Sequence, residues 1–192
     1  MAAAQAAMRI PTTMTCPQVY WMPLCLKSLQ GVSSSSVGLL AGAIYSVAML
    51  GMGVCARLSD RSGRHAACLA ACMALACVGF CAVSVALQSD SPAALVVCAF
   101  GVVAFGLWGV MGPFWGLVPL QFSAADAPVG IPLVNSMGVA GSFVGPLLVA
   151  ALVGGSNKFV SAFAVSAALA AASAVAALAI PSQGTALPSE DV

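Results

Sequence analysis

The chain has 192 residues, 61% of them hydrophobic and only 6% charged, with a mean hydropathy of +1.07. Soluble domains carry roughly 25% charged residues, so a water-soluble fold of this composition would leave most helix faces without a polar side. A net charge of +1 excludes the clustered Lys and Arg that electrostatic capture of nucleic acid requires.

The few charges divide the chain into membrane-length pieces. Between successive charges lie 29 residues from Lys27 to Arg57, 24 from His65 to Asp90, 35 from Asp90 to Asp126, 31 from Asp126 to Lys158 and 31 from Lys158 to Glu190. A helix crosses a bilayer core with about 20 apolar residues. The spacing therefore predicts an all-α, multi-pass integral membrane bundle with six spans: Met8 to Leu26, Ser36 to Arg57, Ala66 to Leu87, Ala93 to Phe122, Val129 to Val153 and Phe159 to Ile180. Residues 1–18 form an irregular start: only 17 residues separate Arg9 from Lys27, and Pro11, Pro17 and Pro23 interrupt them, so the first span reads as shortened. The opening MAAAQAAMRI is a weak secretory signal, with one basic residue and no long apolar run. GVSSSS, QSDSP, SAADAPVG and GGSNK carry turn chemistry between spans, and residues 181–192 read as a disordered tail.

Orientation follows from basic residues in short loops, which stay in the cytoplasm. Six spans put Arg9, Arg57, Arg61 and Arg64 on one side and Lys27 and Lys158 on the other, favouring cytoplasmic termini. A non-spanning first segment makes the split three against three.

A charge at a helix centre costs about 2.5–3.5 kcal/mol, so the cluster ARLSDRSGRH belongs at the membrane surface. It reads as a loop in which Asp60 stands where the next helix starts, meeting the positive end of its dipole, while Gly63 permits a tight turn. Arg57, Arg61 and Arg64 can pair with Asp60 or with lipid phosphate. An ordinary positive-inside loop is the alternative.

Further along, Gly112-Pro113 and Pro119 break the fourth span in mid-membrane, which is tolerated where a helix is buried or lines a cavity. Trp115, beside that break, reads either as a cavity-lining or as an interfacial aromatic. Asn135 must find a partner in apolar surroundings, a substrate carboxylate or a neighbouring helix. Tyr45 reads as a cavity hydroxyl or as packing. Gly38 with Gly42, and Gly141 with Gly145, place small residues on one face, extended by Gly138, suited to close helix packing or to sliding. The alanine-rich sixth span suits packing against neighbours. His65, Cys68 and Cys72 share a helical face, but no C-x-x-C pair occurs and His65 is the one histidine, so buried thiols are the simpler reading of the cysteines and no cofactor is implied. No nucleophile, base and orienting acid can be assembled from intramembrane residues, which argues against an enzyme.

Ser59-Asp60-Arg61-Ser62-Gly63-Arg64 resembles the D-R-x-G-R core of the loop motif found once in each six-helix half of the major facilitator superfamily, although Ala56 stands near the place of the motif's first glycine. Gly112-Pro113-Phe114-Trp115-Gly116-Leu117, Gly130 to Gly138 and Gly141 to Pro146 are similar to the tenth and eleventh helices of its anion:cation symporter branch. Tyr20 to Leu24 resembles the end of the seventh helix, and Val37 to Leu40 with Tyr45 the eighth. The resemblance runs from Val19 to Ala179 and implies the carboxy-terminal half of a twelve-helix carrier of organic anions, driven by a coupling cation, the proton, through alternating access. It implies substrate contacts at Trp115, Asn135 and Tyr45, and a gating loop of Asp60, Arg61, Gly63 and Arg64. The six helices of an amino-terminal half are expected to be missing, to be replaced by a matching half or a second copy. The alternative is a non-transporting truncated or half-carrier protein with an assembly or regulatory role.

Overall fold

The computed structural model describes residues 17–152 and 158–180. The expected start over residues 1–16 with Arg9, the connection at 153–157 and the tail from residue 181 lie outside the described residues. A π turn, Pro17–Trp21, leads into α1, Met22–Ser28. Then follow α2, Ser34–Ser62; α3, His65–Gln88; α4, Ala93–Gly109; α5, Met111–Leu117; α6, Ala127–Leu152; and α7, Lys158–Leu178. The segments α4 and α5 continue one path, so six helical units follow one another among the described residues, and five of these are long and apolar enough to cross a membrane. The π turn and α1, of five and seven residues, fall short of the about 20 that a crossing needs.

Each helix carries visible reasons for its ends. Ser33 caps α2, its Oγ accepting the Ser36 N–H at 3.2 Å. The helix stops at Gly63, whose φ of +62° is the left-handed turn that glycine adopts without steric cost and whose N–H donates to the Ser59 carbonyl at 2.9 Å. At 29 residues and about 1.5 Å per residue, α2 runs beyond the expected Arg57 and beyond a bilayer core. Pro113 has no N–H to give the carbonyl of Gly109 and its ring crowds that carbonyl, so α4 ends there; Pro119 then turns the chain through a 3-10 turn, Pro119–Gln121. Asp126 precedes α6, held by Ser123 Oγ, which donates to its carboxylate at 2.7 Å.

The core lies where α4 packs against α2 and α3, and where α3 packs in turn against α7. Ile44, Ala48, Gly51, Cys55 and Ser59 form the buried stripe of α2, recurring at three or four residues. Phe163 of α7 stacks on Phe80 at 6.1 Å and meets Phe100 edge-on at 5.3 Å, tying α7 to α3 and α4. The alanine-rich α7 packs as expected, burying Ala162, Ala167, Ala170 and Ala177.

Backbone contact sets the spacing of these helices. A Cβ on Gly106 would lie 2.7 Å from the Ala76 nitrogen and the Cys72 carbonyl oxygen, and one on Gly51 would lie 2.5 Å from the Phe105 carbonyl oxygen. The expected packing pair Gly38 and Gly42 takes no part: both are exposed, and a Cβ at either would meet nothing within 4 Å. Their face of α2 points away from its partners. In α6, Gly138 and Gly145 are buried and Gly141 is half-buried.

Gly106→Leu should push α3 and α4 apart, at a cost of about 1–3 kcal/mol or more for an overpacked contact. Gly42→Leu should be tolerated. Thermal unfolding in detergent, followed by size-exclusion fluorescence, distinguishes them; equal loss from both variants would refute the assigned packing face.

Candidate functional site

The two ends of the bundle differ in chemistry. At one end the α2–α3 corner lies beside the end of α5 and the end of α7, with Gly63, Arg64, His65, Leu117, Gln121 and Ile180 around a cavity of about 210 Å³. At the other end, Ser28 to Gln30 approach Ala86 to Ala93. Arg57, Asp60, Arg61 and Arg64 are exposed at the corner.

Asp60 does not open the next helix. It sits in the last turns of α2, and only Gly63 and Arg64 separate Ser62 from α3. The expected favourable meeting with a positive helix end is therefore replaced by its opposite, since the carboxylate stands near the negative end of α2. Uncut helix was favoured because the charges of this turn project past the bilayer, where ionised side chains carry no desolvation cost.

Beneath the charged turn lies an arrangement that the sequence reading missed. Ser59, 0% exposed, is joined through Oγ to Nδ1 of His65 by a hydrogen bond of 2.6 Å. The imidazole rests against Gly116 of α5, where a Cβ would come within 2.9 Å of Nδ1. His65 thus bridges the end of α2, the start of α3 and the broken helix. Gln121 lines the same cavity, with its Nε2 buried and without a hydrogen-bond partner. The glycine beside Trp115 and the serine before Asp60 were visible in the chain, but their meeting at His65 depends on the tertiary fold.

The three residues expected to contact substrate are separated. Tyr45, half-buried in α2, meets Trp108 of α4 edge-on at 6.4 Å and 78°. Trp108 was not anticipated, and its Nε1 is buried with no hydrogen-bond partner. Among the described residues Gln18, Trp21 and Gln121 also hold buried polar atoms without a partner, but Trp108 is the one of them that meets Tyr45. Trp115 lies two turns further along the same path, beyond the break, 41% exposed and edge-on to Phe114. Asn135 is exposed on α6. Direct ring contacts or hydrogen bonds do not join Tyr45, Trp115 and Asn135 among the described residues.

His65→Ala should leave the Ser59 hydroxyl buried and unpaired, destabilising the corner by about 1–3 kcal/mol. Removing both partners with Ser59→Ala in addition should cost less than the sum of the two single changes. A double-mutant cycle of thermal unfolding measures this, and strict additivity would rule out the bond.

The sequence is similar to those of known proteins. The family model for the Major Facilitator Superfamily matches residues 4–190. A quinolone resistance transporter of Acinetobacter baumannii is 32% identical over 126 residues, which cover 66% of this chain and 28% of that protein. Two putative tartrate transporters of Agrobacterium vitis are 30% and 31% identical over 129 and 134 residues, 67% of this chain in each case and 29% and 28% of theirs. The chain thus spans under a third of the length of these relatives. With its membrane-length helices and a family match over nearly its whole length, this integral membrane chain belongs to the major facilitator superfamily, a family of transporters rather than enzymes.

Proposed function

We propose that the chain acts as the carboxy-terminal six-helix half of a secondary carrier of the anion:cation symporter branch, moving an organic anion with a proton by alternating access. The observation that carries this reading is the pair Tyr45 and Trp108, which offers a buried, unspent N–H donor beside a phenol. Neutral donors of this kind suit a carboxylate oxygen. The names of the relatives support the substrate class, tartrate being a dicarboxylate. In this reading Trp115 and Asn135 complete the substrate site from α5 and α6.

Asp60 and Arg61, from the last turn of α2, with Gly63 and Arg64 of the connection, form the cytoplasmic gating corner. At the negative end of α2 the Asp60 carboxylate gains from any cation or helix amino terminus brought to it, so the conformer that supplies one is favoured. An amino-terminal half or a second copy would supply it. The donors at Tyr45, Trp108 and Asn135 are neutral, and an anion in a low-dielectric cavity also requires a countercharge. The complementary half supplies that as well.

Liposomes holding this chain with a matching amino-terminal half should take up an organic anion under a proton gradient, and liposomes holding this chain alone should not. Trp108→Phe, which keeps the ring and removes the donor, should raise KM by roughly ten- to hundredfold. Trp115→Ala and Asn135→Ala should also weaken uptake. Coupled uptake by the chain alone would refute the need for a second half, and no uptake by the pair would favour an assembly or regulatory role.

Single cysteines placed by Ser62→Cys and Ser89→Cys, in a background cleared of native cysteines, should label from opposite sides, with Ser62→Cys reached from the cytoplasm. Labelling of both from one side would contradict the assigned topology.

A further inference from the structure

Cys55 of α2 and Cys72 of α3 stand against one glycine of α4. A Cβ on Gly109 would lie 2.8 Å from Cys55 Sγ and 3.5 Å from Cys72 Sγ, so the missing side chain makes room for both sulfurs. Both thiols are buried, 8% and 6% exposed. One turn nearer the corner, Cys68 is half-buried with its sulfur 3.8 Å from Ser62 Oγ, so sulfur atoms lead from the charged corner to the pair. None of these thiols serves the proposed transport site.

Chemistry narrows what such a pair can hold. Thiolates select soft metal ions. Among the described residues no three His, Cys, Asp or Glu side chains come together as a metal site, so an ion that requires four ligands, as zinc does, is not satisfied. Two thiolates around a monovalent ion leave a buried negative charge, which is costly among apolar side chains. A divalent ion content with two sulfurs in line leaves none.

We propose that Cys55 and Cys72 form a two-coordinate capture site for a thiophilic divalent metal ion of the mercuric type. Binding forms two metal–sulfur bonds, breaks two S–H bonds and releases two protons towards the corner; no atom changes oxidation state. The bound ion joins α2 to α3 about two turns below Gly63, so it ties together the two helices that carry the charged corner.

The direct test uses the 192-residue chain in nanodiscs with Cys16, Cys25, Cys68, Cys77, Cys81 and Cys98 replaced by serine, titrated with mercuric chloride. Native mass spectrometry and sulfur-to-metal charge-transfer absorption should report one ion per chain, saturating at one equivalent. Adding Cys55→Ala or Cys72→Ala should weaken retention against a competing monothiol by about a hundredfold, because the second ligand is no longer held at high effective concentration. The same comparison in the otherwise native chain, with Cys68→Ser, Cys77→Ser and Cys81→Ser removing the other adjacent thiols, covers a six-fold variant that fails to fold. Equal retention by one-thiol and two-thiol chains would overturn the proposal, as would loss of two hydrogens with no mercury retained, the signature of a disulfide.

Discussion

The structure depends on how closely α2 and α3 approach the backbone of α4. Lipid is as apolar as the side chains, so burial gives helices in a bilayer little reason to associate, and close van der Waals contact has to hold them. Gly51 and Gly106 allow that contact at one level of the bundle, and Gly79 and Gly112 extend it, meeting Val103 and Ala56. Side chains larger than hydrogen at these points would separate the helices. Because α4 is fixed on both sides, the consequences of its proline break are fixed too: Trp108 stays half-buried against the core beside Tyr45, and Trp115 emerges beyond it.

The same approach connects the two ends of the functional reading. Gly116 admits the ring of His65, and His65 holds Ser59, one residue before Asp60. A displacement of α5 caused by a ligand at Trp115 would therefore reach the charged turn through a rigid imidazole rather than through a flexible loop. In the proposed carrier, contact of this kind would link a substrate site within the bundle to a gate at its end.

Charge spacing was enough to locate the long helices to within a few residues, because a buried charge is expensive and a bilayer sets the length between charges. It placed the end of α2 too early. Arg57, Asp60 and Arg61 cost nothing in a helix that projects past the bilayer, so the termination signal was Gly63 alone. Glycine spacing misled for a related reason: two glycines four apart define a face but do not say what lies opposite, and Gly38 and Gly42 face open space. The contacts that matter join single glycines to another helix's backbone, a relation no spacing within one helix encodes. Of the site, Tyr45 was legible as a polar group in a span; its partner Trp108 was hidden because an indole in an apolar run looks like core until its N–H is found without an acceptor.

In the proposed carrier the Trp108 indole N–H is held in reserve for an anion. The chain has three tryptophans, Trp21, Trp108 and Trp115, so indole nitrogen labelling yields three assignable proton–nitrogen resonances. In the chain paired with a matching amino-terminal half, tartrate should shift the Trp108 resonance downfield at concentrations that saturate uptake, and Trp108→Phe should remove that signal and weaken binding. A Trp108 resonance unmoved by saturating ligand, with transport intact, would contradict the account.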